Sequence, residues 1–158
     1  MNKPLTFLLS LTFLFLFSGS SIVFADDLQD GVDAYDRKDY KAAHKVFLPL
    51  AEKGNTIAQA NLGVMYANGL GVPQDYKEAV KLYRLSAEQG NVSARYYLGM
   101  MHSKGQGVSQ DYVLAYMWLS TCGSSGYVKH NSDCIKSRNI IENKMTPEQI
   151  EKAQEMAR

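Results

Sequence analysis

The sequence repeats itself with a period of 36 residues. Residues 56–91 and 92–127 align without a gap, and at least ten residues are identical at the same offset. A fixed period of about 20 to 50 residues is typical of proteins built from stacked repeats. The repeat therefore constrains the fold more than any other feature. The recurring pairs are Ala58 and Ala94, Leu62 and Leu98, Gly63 and Gly99, Gly69 and Gly105, Gly71 and Gly107, Val72 and Val108, Gln74 and Gln110, Asp75 and Asp111, Tyr76 and Tyr112, and Ala79 and Ala115.

The first half of each repeat has the pattern of an amphipathic helix. Ala58, Leu62 and Tyr66 fall on one stripe at helical spacing. The predicted helix ends at residues 69–73, because two glycines and a proline within five residues do not propagate a helix. Gly69 also supplies the positive φ that a helix C-cap favours.

The second half of each repeat predicts another helix. Asp75 is its expected N-cap, and Glu78 is placed to interact with the exposed amides of the first turn. Gly90 ends the helix. Small residues such as Gly63 allow two antiparallel helices to approach closely, while larger side chains fill the space between them. The expected buried stripe of the second helix is Ala79, Leu82, Tyr83 and Ser86.

This pattern resembles the Sel1-like repeat, a relative of the tetratricopeptide repeat. The resemblance implies an all-α fold, a right-handed α-solenoid of stacked helix-turn-helix units with a C-terminal capping helix. In the first copy the motif is carried by Ala58, Leu62, Gly63, Tyr66, Gly69, Gly71, Val72, Asp75, Ala79, Tyr83, Ala87 and Gly90. In the second copy the corresponding structural positions are Leu98, Gly99, Gly105, Gly107, Asp111 and Ala115. The second copy departs from the motif at His102, Leu119 and Gly123, which replace Tyr66, Tyr83 and Ala87.

The chain outside the two clear repeats divides into three segments. Residues 1–25 have the layout of a secretory signal peptide, with Lys3 before an apolar run and Ala25 at the expected cleavage point. An uncleaved anchor is the alternative, although the apolar run is short for a membrane span. The repeat domain covers residues 26–158: an atypical N-terminal repeat (26–55), two repeats (56–91 and 92–127) and C-terminal capping helices (128–158).

The last predicted helix has a strong start signal. Thr146 is an expected N-cap, Pro147 suits the first helical position, and Gln149 completes a capping box. The apolar residues Ile150, Ala153, Met156 and Ala157 are expected to cover the end of the stack.

Cys122 and Cys134 are the two cysteines of the chain. They lie at similar distances from the turn between two predicted helices, and cysteines of exported proteins usually pair. We therefore expect a structural disulfide. A redox-active thiol at Cys134 and a zinc site are the alternatives, but the sequence lacks a C-x-x-C motif and zinc-ligand spacing.

The sequence contains no recognisable catalytic constellation. It lacks H-E-x-x-H, G-x-S-x-G and a phosphate-binding loop, and no serine has a lysine three residues later. His102 is expected in a packed helix face. We therefore predict no catalytic, cofactor-binding or metal-binding residue. Without Lys3 the chain has 16 basic and 16 acidic residues, so no electrostatic signal for nucleic-acid binding remains.

A partner is expected on the concave side of the solenoid, which the first helix of each repeat lines. The residues on that side of the stripe are predicted to bind a protein or peptide. Packing beneath the C-terminal cap is the alternative for some of them. The predicted partner-binding residues are Val64, Asn68, Tyr96, Met100 and Lys104.

These features favour an exported, non-enzymatic interaction module, in the periplasm of a Gram-negative bacterium or outside the cell. The expected protein is a monomer that binds a protein or peptide, and neither nucleic acid nor, after signal cleavage, a membrane. Two alternatives remain open. One is a weak β-lactam-binding or β-lactam-hydrolysing enzyme, as described for some disulfide-rich relatives of the repeat family. The other is an inhibitor or immunity partner of a secreted enzyme.

Overall fold

The computed structural model describes residues 27–123 and 128–158, in which every regular element is an α-helix. The predicted all-α class is confirmed. The predicted signal peptide lies outside the described residues. No helix in the described ranges is long and apolar enough to cross a membrane. The described helices are α1 (27–36), α2 (Tyr40–Glu52), α3 (Thr56–Asn68), α4 (Tyr76–Glu88), α5 (Val92–Lys104), α6 (Tyr112–Gly123), α7 (Val128–Glu142) and α8 (Pro147–Met156).

The helices form a stack of pairs. We name α1–α2 unit one, α3–α4 unit two and α5–α6 unit three. From α2 onward each helix packs against the next as far as α7, and α8 returns to pack against α6. Three apolar clusters follow one another along the stack. Because these contacts run between neighbours along the chain, the predicted α-solenoid is confirmed.

Side-chain caps and glycines set the helix boundaries of unit two. Asp75 Oδ1 accepts hydrogen bonds from the amides of Lys77 and Glu78, at 2.9 and 3.1 Å. Gly69 ends α3 with φ of 67°, in the left-handed region that glycine adopts without steric cost. The expected role of Glu78 is wrong. Its carboxylate accepts from Lys81 Nζ at 3.0 Å and does not cap the first turn of α4.

Unit three uses the same boundary residues 36 positions later. Gly105 ends α5 with φ of 67°, and its amide donates to the Met101 carbonyl. Asp111 precedes α6, and its Oδ1 accepts from the Leu114 amide at 3.0 Å. The sequence repeat is therefore also a repeat of helix ends.

The small and apolar residues of the repeat lie at the centre of each helix pair. Leu62 in unit two and Leu98 in unit three have no exposed surface. Ala79 and Ala115, one turn into each second helix, are equally buried. Leu98 belongs to the second apolar cluster and Ala115 to the third, so the two residues contribute to successive layers of the core.

One glycine in each unit makes room for a large side chain of the second helix. A Cβ atom added to Gly63 would lie 2.6 Å from the Tyr83 ring, and one added to Gly99 would lie 2.8 Å from Leu119 Cγ. Such distances are too short for carbon atoms, so only glycine permits these contacts. Gly31 has the same relation to Phe47 in unit one.

The loop of each later unit rests on the preceding unit. Gly71 lies against the backbone of Tyr40, at the start of α2, and Gly107 lies against the backbone of Tyr76, at the start of α4. A Cβ at Gly71 would approach the Tyr40 carbonyl carbon to 2.7 Å, and one at Gly107 would overlap the Tyr76 carbonyl oxygen. The second glycine of each loop is therefore required by a joint between units.

The C-terminal helices close the stack. Cys122 in α6 and Cys134 in α7 are joined by a disulfide, with Cα atoms 6.0 Å apart, and both are fully buried. The capping box of α8 is present: the Thr146 hydroxyl accepts from the Gln149 amide at 3.3 Å, and Gln149 Oε1 accepts from the Thr146 amide at 3.0 Å. Ala153 is buried against the third cluster.

The expected packing of Met156 is wrong. Its side chain is 45% exposed, whereas Ala153 has no exposed surface. Each step of three residues falls about 60° short of a full helical turn, so Met156 lies about 120° around α8 from Ile150. Ile150 and Ala153 therefore contact the third cluster, whereas Met156 faces away from it.

Candidate functional site

Three clefts lie in a row on the face of the stack formed by the odd-numbered helices, which we call the odd-helix groove. Cleft A measures about 290 Å³, cleft B about 240 Å³ and cleft C about 200 Å³. Clefts A and B share Tyr97, while clefts B and C share Met100 and Lys104. The clefts therefore form one continuous surface from α1 to α7.

The lining residues differ in character from cleft to cleft. Cleft A is lined by Tyr35, Ile57, Ala60, Asn61, Val64, Asn91, Ser93 and Tyr97. Cleft B is lined by Ala67, Asn68, Tyr76, Tyr83, Tyr97, Met100, Met101, Lys104 and Gln106. Cleft C is lined by Met100, Ser103, Lys104, Tyr112, Ser137, Ile140, Ile141 and Lys144.

The groove follows one helical stripe on each of the two central helices. On α3 the stripe has spacings of four, three and four residues, and α5 repeats it 36 residues later. This spacing keeps side chains on one face of an α-helix. The stripes are Ile57, Asn61, Val64 and Asn68 on α3, and Ser93, Tyr97, Met100 and Lys104 on α5.

Four of the five predicted partner-binding residues line this groove: Val64, Asn68, Met100 and Lys104. Tyr96 lines none of the three clefts. It is half-buried and packs against the third apolar cluster. The stripe on α5 passes through its neighbour Tyr97. The packing of Tyr96 fits the alternative of residues packed beneath the C-terminal cap, and its role in partner binding stays a prediction.

A column of aromatic rings supports the middle of the groove. Tyr83 is 1% exposed, because it occupies the space that Gly63 leaves open. Its ring stacks on Tyr97 with centroids 5.2 Å apart, and the edge of Tyr96 meets Tyr97 at 5.4 Å. Burial raises the pKa of Tyr97, and the neighbouring Tyr96 adds to the increase, so the hydroxyl stays protonated at neutral pH. The glycine of unit two thus positions a groove residue of unit three.

The charged side chains that line the groove are both lysines. Lys104 belongs to clefts B and C, and Lys144 to cleft C. On the opposite face, a cleft of about 170 Å³ is lined by Glu52, Glu78 and Lys81 beside apolar residues. That cleft therefore has one more acidic than basic lining residue, whereas the charged lining residues of clefts B and C are all basic.

The histidines with described side chains do not form a catalytic group. His44 Nε2 lies 3.3 Å from the Tyr66 hydroxyl. His102 is 4% exposed, as predicted, and its buried Nδ1 has no hydrogen-bond partner among the described residues. Burial lowers the pKa of His102, and the Arg84 guanidinium lowers it further. The side chain of His130 lies outside the described residues. No group of three His, Cys, Asp or Glu residues in the described ranges could hold a metal ion.

Sequence reasoning missed most of the groove lining, including Tyr97, Ile140 and Lys144. Tyr97 could have been found from the regular stripe that joins Ile57, Asn61, Val64 and Asn68 and its counterpart on α5. Ile140 and Lys144 carry no such signal, because α7 lies beyond the repeated segments. Their place in the groove depends on how α7 packs against α5 and α6.

Stacked helix pairs, a glycine at each close contact between paired helices and a continuous groove on one face define a helical-repeat protein. The repeat is of a particular family, because the Sel1 repeat model matches residues 56–91 and 92–121. The chain contains two Sel1 repeats, and the resemblance inferred from the sequence is confirmed. Proteins of this kind are in general non-enzymatic interaction modules.

Solved structures show the same fold. A protective antigen of uropathogenic Escherichia coli strains, described as displaying an SLR fold, has a TM-score of 0.79 and 31% sequence identity over 85% of this chain. A Sel1 repeat protein from Oxalobacter formigenes has a TM-score of 0.66 and 25% identity over 82% of this chain. The chain spans 29% of the first protein and 54% of the second. No curated protein sequence matches the chain.

Proposed function

We propose that this chain is an exported, non-enzymatic adaptor that binds a segment of a protein partner in the odd-helix groove. The observation that carries the proposal is the continuity of clefts A, B and C, which share Tyr97, Met100 and Lys104. An extended or helical segment spanning these clefts contacts α3, α5 and α7 together. Repeat solenoids commonly bind partners on such extended surfaces.

The composition of the groove also suits a protein partner. Tyrosine and methionine give large contact areas, and methionine adapts its shape to the surface that it meets. Asparagine and serine side chains in cleft A carry the donors and acceptors that pair with a peptide backbone. The groove thus offers apolar contact and backbone hydrogen bonding along the same line.

Three observations support export. The N-terminal 25 residues have the layout of a signal peptide. The buried disulfide between Cys122 and Cys134 belongs to a compartment in which thiols are oxidised. The resembling E. coli protein is a protective antigen, which is in keeping with a position that host antibodies reach.

A blocking variant of the groove tests the proposal. Asn61→Trp with Asn68→Trp places two bulky rings in clefts A and B without changing any charge. The matched control, Leu48→Trp with Leu85→Trp, alters exposed positions of α2 and α4 on the other face, also without changing any charge. Purified chains lacking residues 1–25 are crosslinked to periplasmic and host-cell extracts, after circular dichroism has shown equal helix content.

We expect the wild type and the control on α2 and α4 to capture the same partner, and the variant with the blocked groove to lose it. Capture that survives in the blocked variant but disappears in the control places the binding surface on the even-numbered helices. Such a result contradicts the groove assignment.

A further inference from the structure

The lining and volume of cleft C suit the binding of one apolar side chain. Met100, Tyr112, Ile140 and Ile141 line a volume of about 200 Å³. A cavity of about 150 Å³ accommodates a benzene ring, so this cleft has room for an aromatic or branched aliphatic side chain. Ile140 is 61% exposed, which is more than any other large apolar side chain in the described residues. Ile140 therefore lines the cleft with most of its side chain exposed to solvent.

Two cations accompany this apolar surface. Lys104 is exposed at the end of α5, and the ammonium group of Lys144 lies 5.6 Å from the centre of the Tyr112 ring. Among the described residues, the ion pair within 4.0 Å is that of Lys81 with Glu78. Neither Lys104 nor Lys144 has a carboxylate of the described residues within that distance. The two positive charges at cleft C are therefore available to an incoming anion.

The charge at cleft C contrasts with the rest of the molecule. Beyond residue 25 the chain has equal numbers of basic and acidic residues. The lining of clefts A and B, apart from Lys104, is uncharged. Both groove lysines therefore meet at one end of the groove. A partner that matches this pattern is acidic where it meets α7 and neutral where it meets α3.

We propose that cleft C binds an acidic segment of the partner protein, in which a large apolar side chain is flanked by Asp or Glu. The apolar side chain enters between Met100 and Ile140, and the flanking carboxylates pair with Lys104 and Lys144. A peptide is favoured over an anionic lipid, because Asn61 and Ser93 in cleft A are suited to backbone groups and not to an acyl chain. This assignment rests on the proposed function, since it specifies what the odd-helix groove binds.

A random peptide library displayed as internal fusions, without free carboxyl termini, tests this assignment. Selection uses the chain lacking residues 1–25 at low ionic strength. We expect the enriched peptides to share an aromatic or aliphatic residue next to Asp or Glu. Binding of a synthetic, amidated representative is then measured by fluorescence anisotropy, and we expect affinity to decrease as salt is raised.

Matched variants locate the site. Lys104→Gln with Lys144→Gln should lower the affinity for the peptide by about tenfold or more. Lys77→Gln with Lys81→Gln, on α4, should leave the affinity unchanged. Ile140→Asp should also weaken binding, because it removes apolar surface and repels the flanking carboxylates. Ile135→Asp changes another exposed isoleucine of α7 that does not line the cleft, and it should have no effect.

Several outcomes would overturn the assignment. These are enrichment of neutral or basic peptides, no enrichment at all, or an affinity that is indifferent to Lys104 and Lys144. Displacement of the peptide by oleate or by a second copy of the chain, at lower concentration than by free peptide, assigns cleft C to a lipid or to self-association. If neutral peptides bind and the Asn61→Trp, Asn68→Trp variant loses them, the proposed function stands and the acidic specificity falls.

Discussion

Units two and three have equivalent helices, but the second helix of each unit is held by a different kind of bond. In unit two, Ser86 Oγ donates to the Thr56 carbonyl at 2.7 Å, which ties α4 to the start of α3 in the same unit. The equivalent position in unit three is Cys122, which is bonded forward to Cys134 in α7. Unit two is held between neighbours of its own kind. Unit three is followed by α7, which lies outside the repeated segments, and the disulfide joins the two covalently.

The identical and the variable positions of the two units also serve different purposes. Identities such as Gly63 with Gly99 and Gly71 with Gly107 occur where backbones or rings meet closely. The four groove positions on α3 all differ from their counterparts on α5. Packing therefore determines what both units share, while the groove acquires a neutral end at unit two and a cationic end at unit three.

The largest expected effect comes from filling the glycine contact in either unit. Gly63→Leu forces a side chain into the buried Tyr83 ring, and Gly99→Leu forces one into Leu119. We expect each variant to lose about 3 kcal/mol or more of unfolding free energy. The Gly63 variant should suffer more, because an aromatic ring adjusts less readily than a leucine. Urea denaturation followed by circular dichroism measures both.

Gly54→Ala provides the control for this comparison. Gly54 has φ of 88°, but a Cβ there meets no atom within 4 Å. Its cost should be limited to the backbone strain of about 1 to 2 kcal/mol. Because Gly63 and Gly99 have no positive φ, losses at these two positions no larger than that at Gly54 would contradict the steric account of their conservation between units.

Removing the disulfide should weaken unit three more than unit two. Cys122→Ala with Cys134→Ala opens a loop with a sequence separation of 12 residues, which costs about 3 kcal/mol in the chain-entropy model. Hydrogen exchange should rise in α6, α7 and α8 before it rises in α3 and α4. Reduction of the wild type with dithiothreitol should have the same effect. A uniform rise along the whole stack would contradict the proposed role of the bond as a local closure.

The exchange of Tyr66 for His102 should make unit three the pH-sensitive unit. Burial and Arg84 lower the pKa of His102 below its ordinary value of 6.5. The unfolded chain therefore binds a proton at a higher pH than the folded chain, and stability is lost as the pH falls below about 6.5. We expect the difference in unfolding free energy between pH 7.5 and pH 5 to be smaller in His102→Gln than in the wild type. Identical pH dependence in the two proteins would exclude this residue as the cause.

The smallest of these effects concerns the cap that replaces a fourth repeat. Thr146→Ala removes the acceptor of the Gln149 amide and should cost about 1 kcal/mol. Thr146→Ser keeps the hydroxyl and should cost much less. Thermal unfolding compares the two variants. If both lose the same amount, the methyl group of Thr146 and not the capping bond stabilises the start of α8.

Most of the fold was predictable, because the 36-residue repeat indicates where each helix begins and ends and which of its residues are buried. The buried stripes of α3 and α4, the glycine at the end of α3 and the capping box of α8 all follow from local spacing. Two local expectations failed for physical reasons. The Glu78 carboxylate pairs with Lys81, and Met156 lies on a side of α8 that faces away from the third cluster.

The groove was less predictable than the fold. The sequence alone places a helical stripe only to within one residue when two adjacent residues are equally suited to it. The adjacent residues Tyr96 and Tyr97 are such a pair. Tyr97 is selected by its stacking on Tyr83, which is a contact between units. The cationic end depends on Lys144, which no repeat relates to Lys104, so only the packing of α7 brings them to one cleft.

The joint between successive units has a consequence for how such chains lengthen. The starts of α2 and α4 each contact a loop glycine of the following unit, Gly71 at Tyr40 and Gly107 at Tyr76. Both junctions therefore use the same parts. An in-frame gene duplication of one 36-residue cassette would meet, on either side, a junction that it already fits. Growth by whole cassettes can extend the groove while the terminal disulfide and α8 remain as they are.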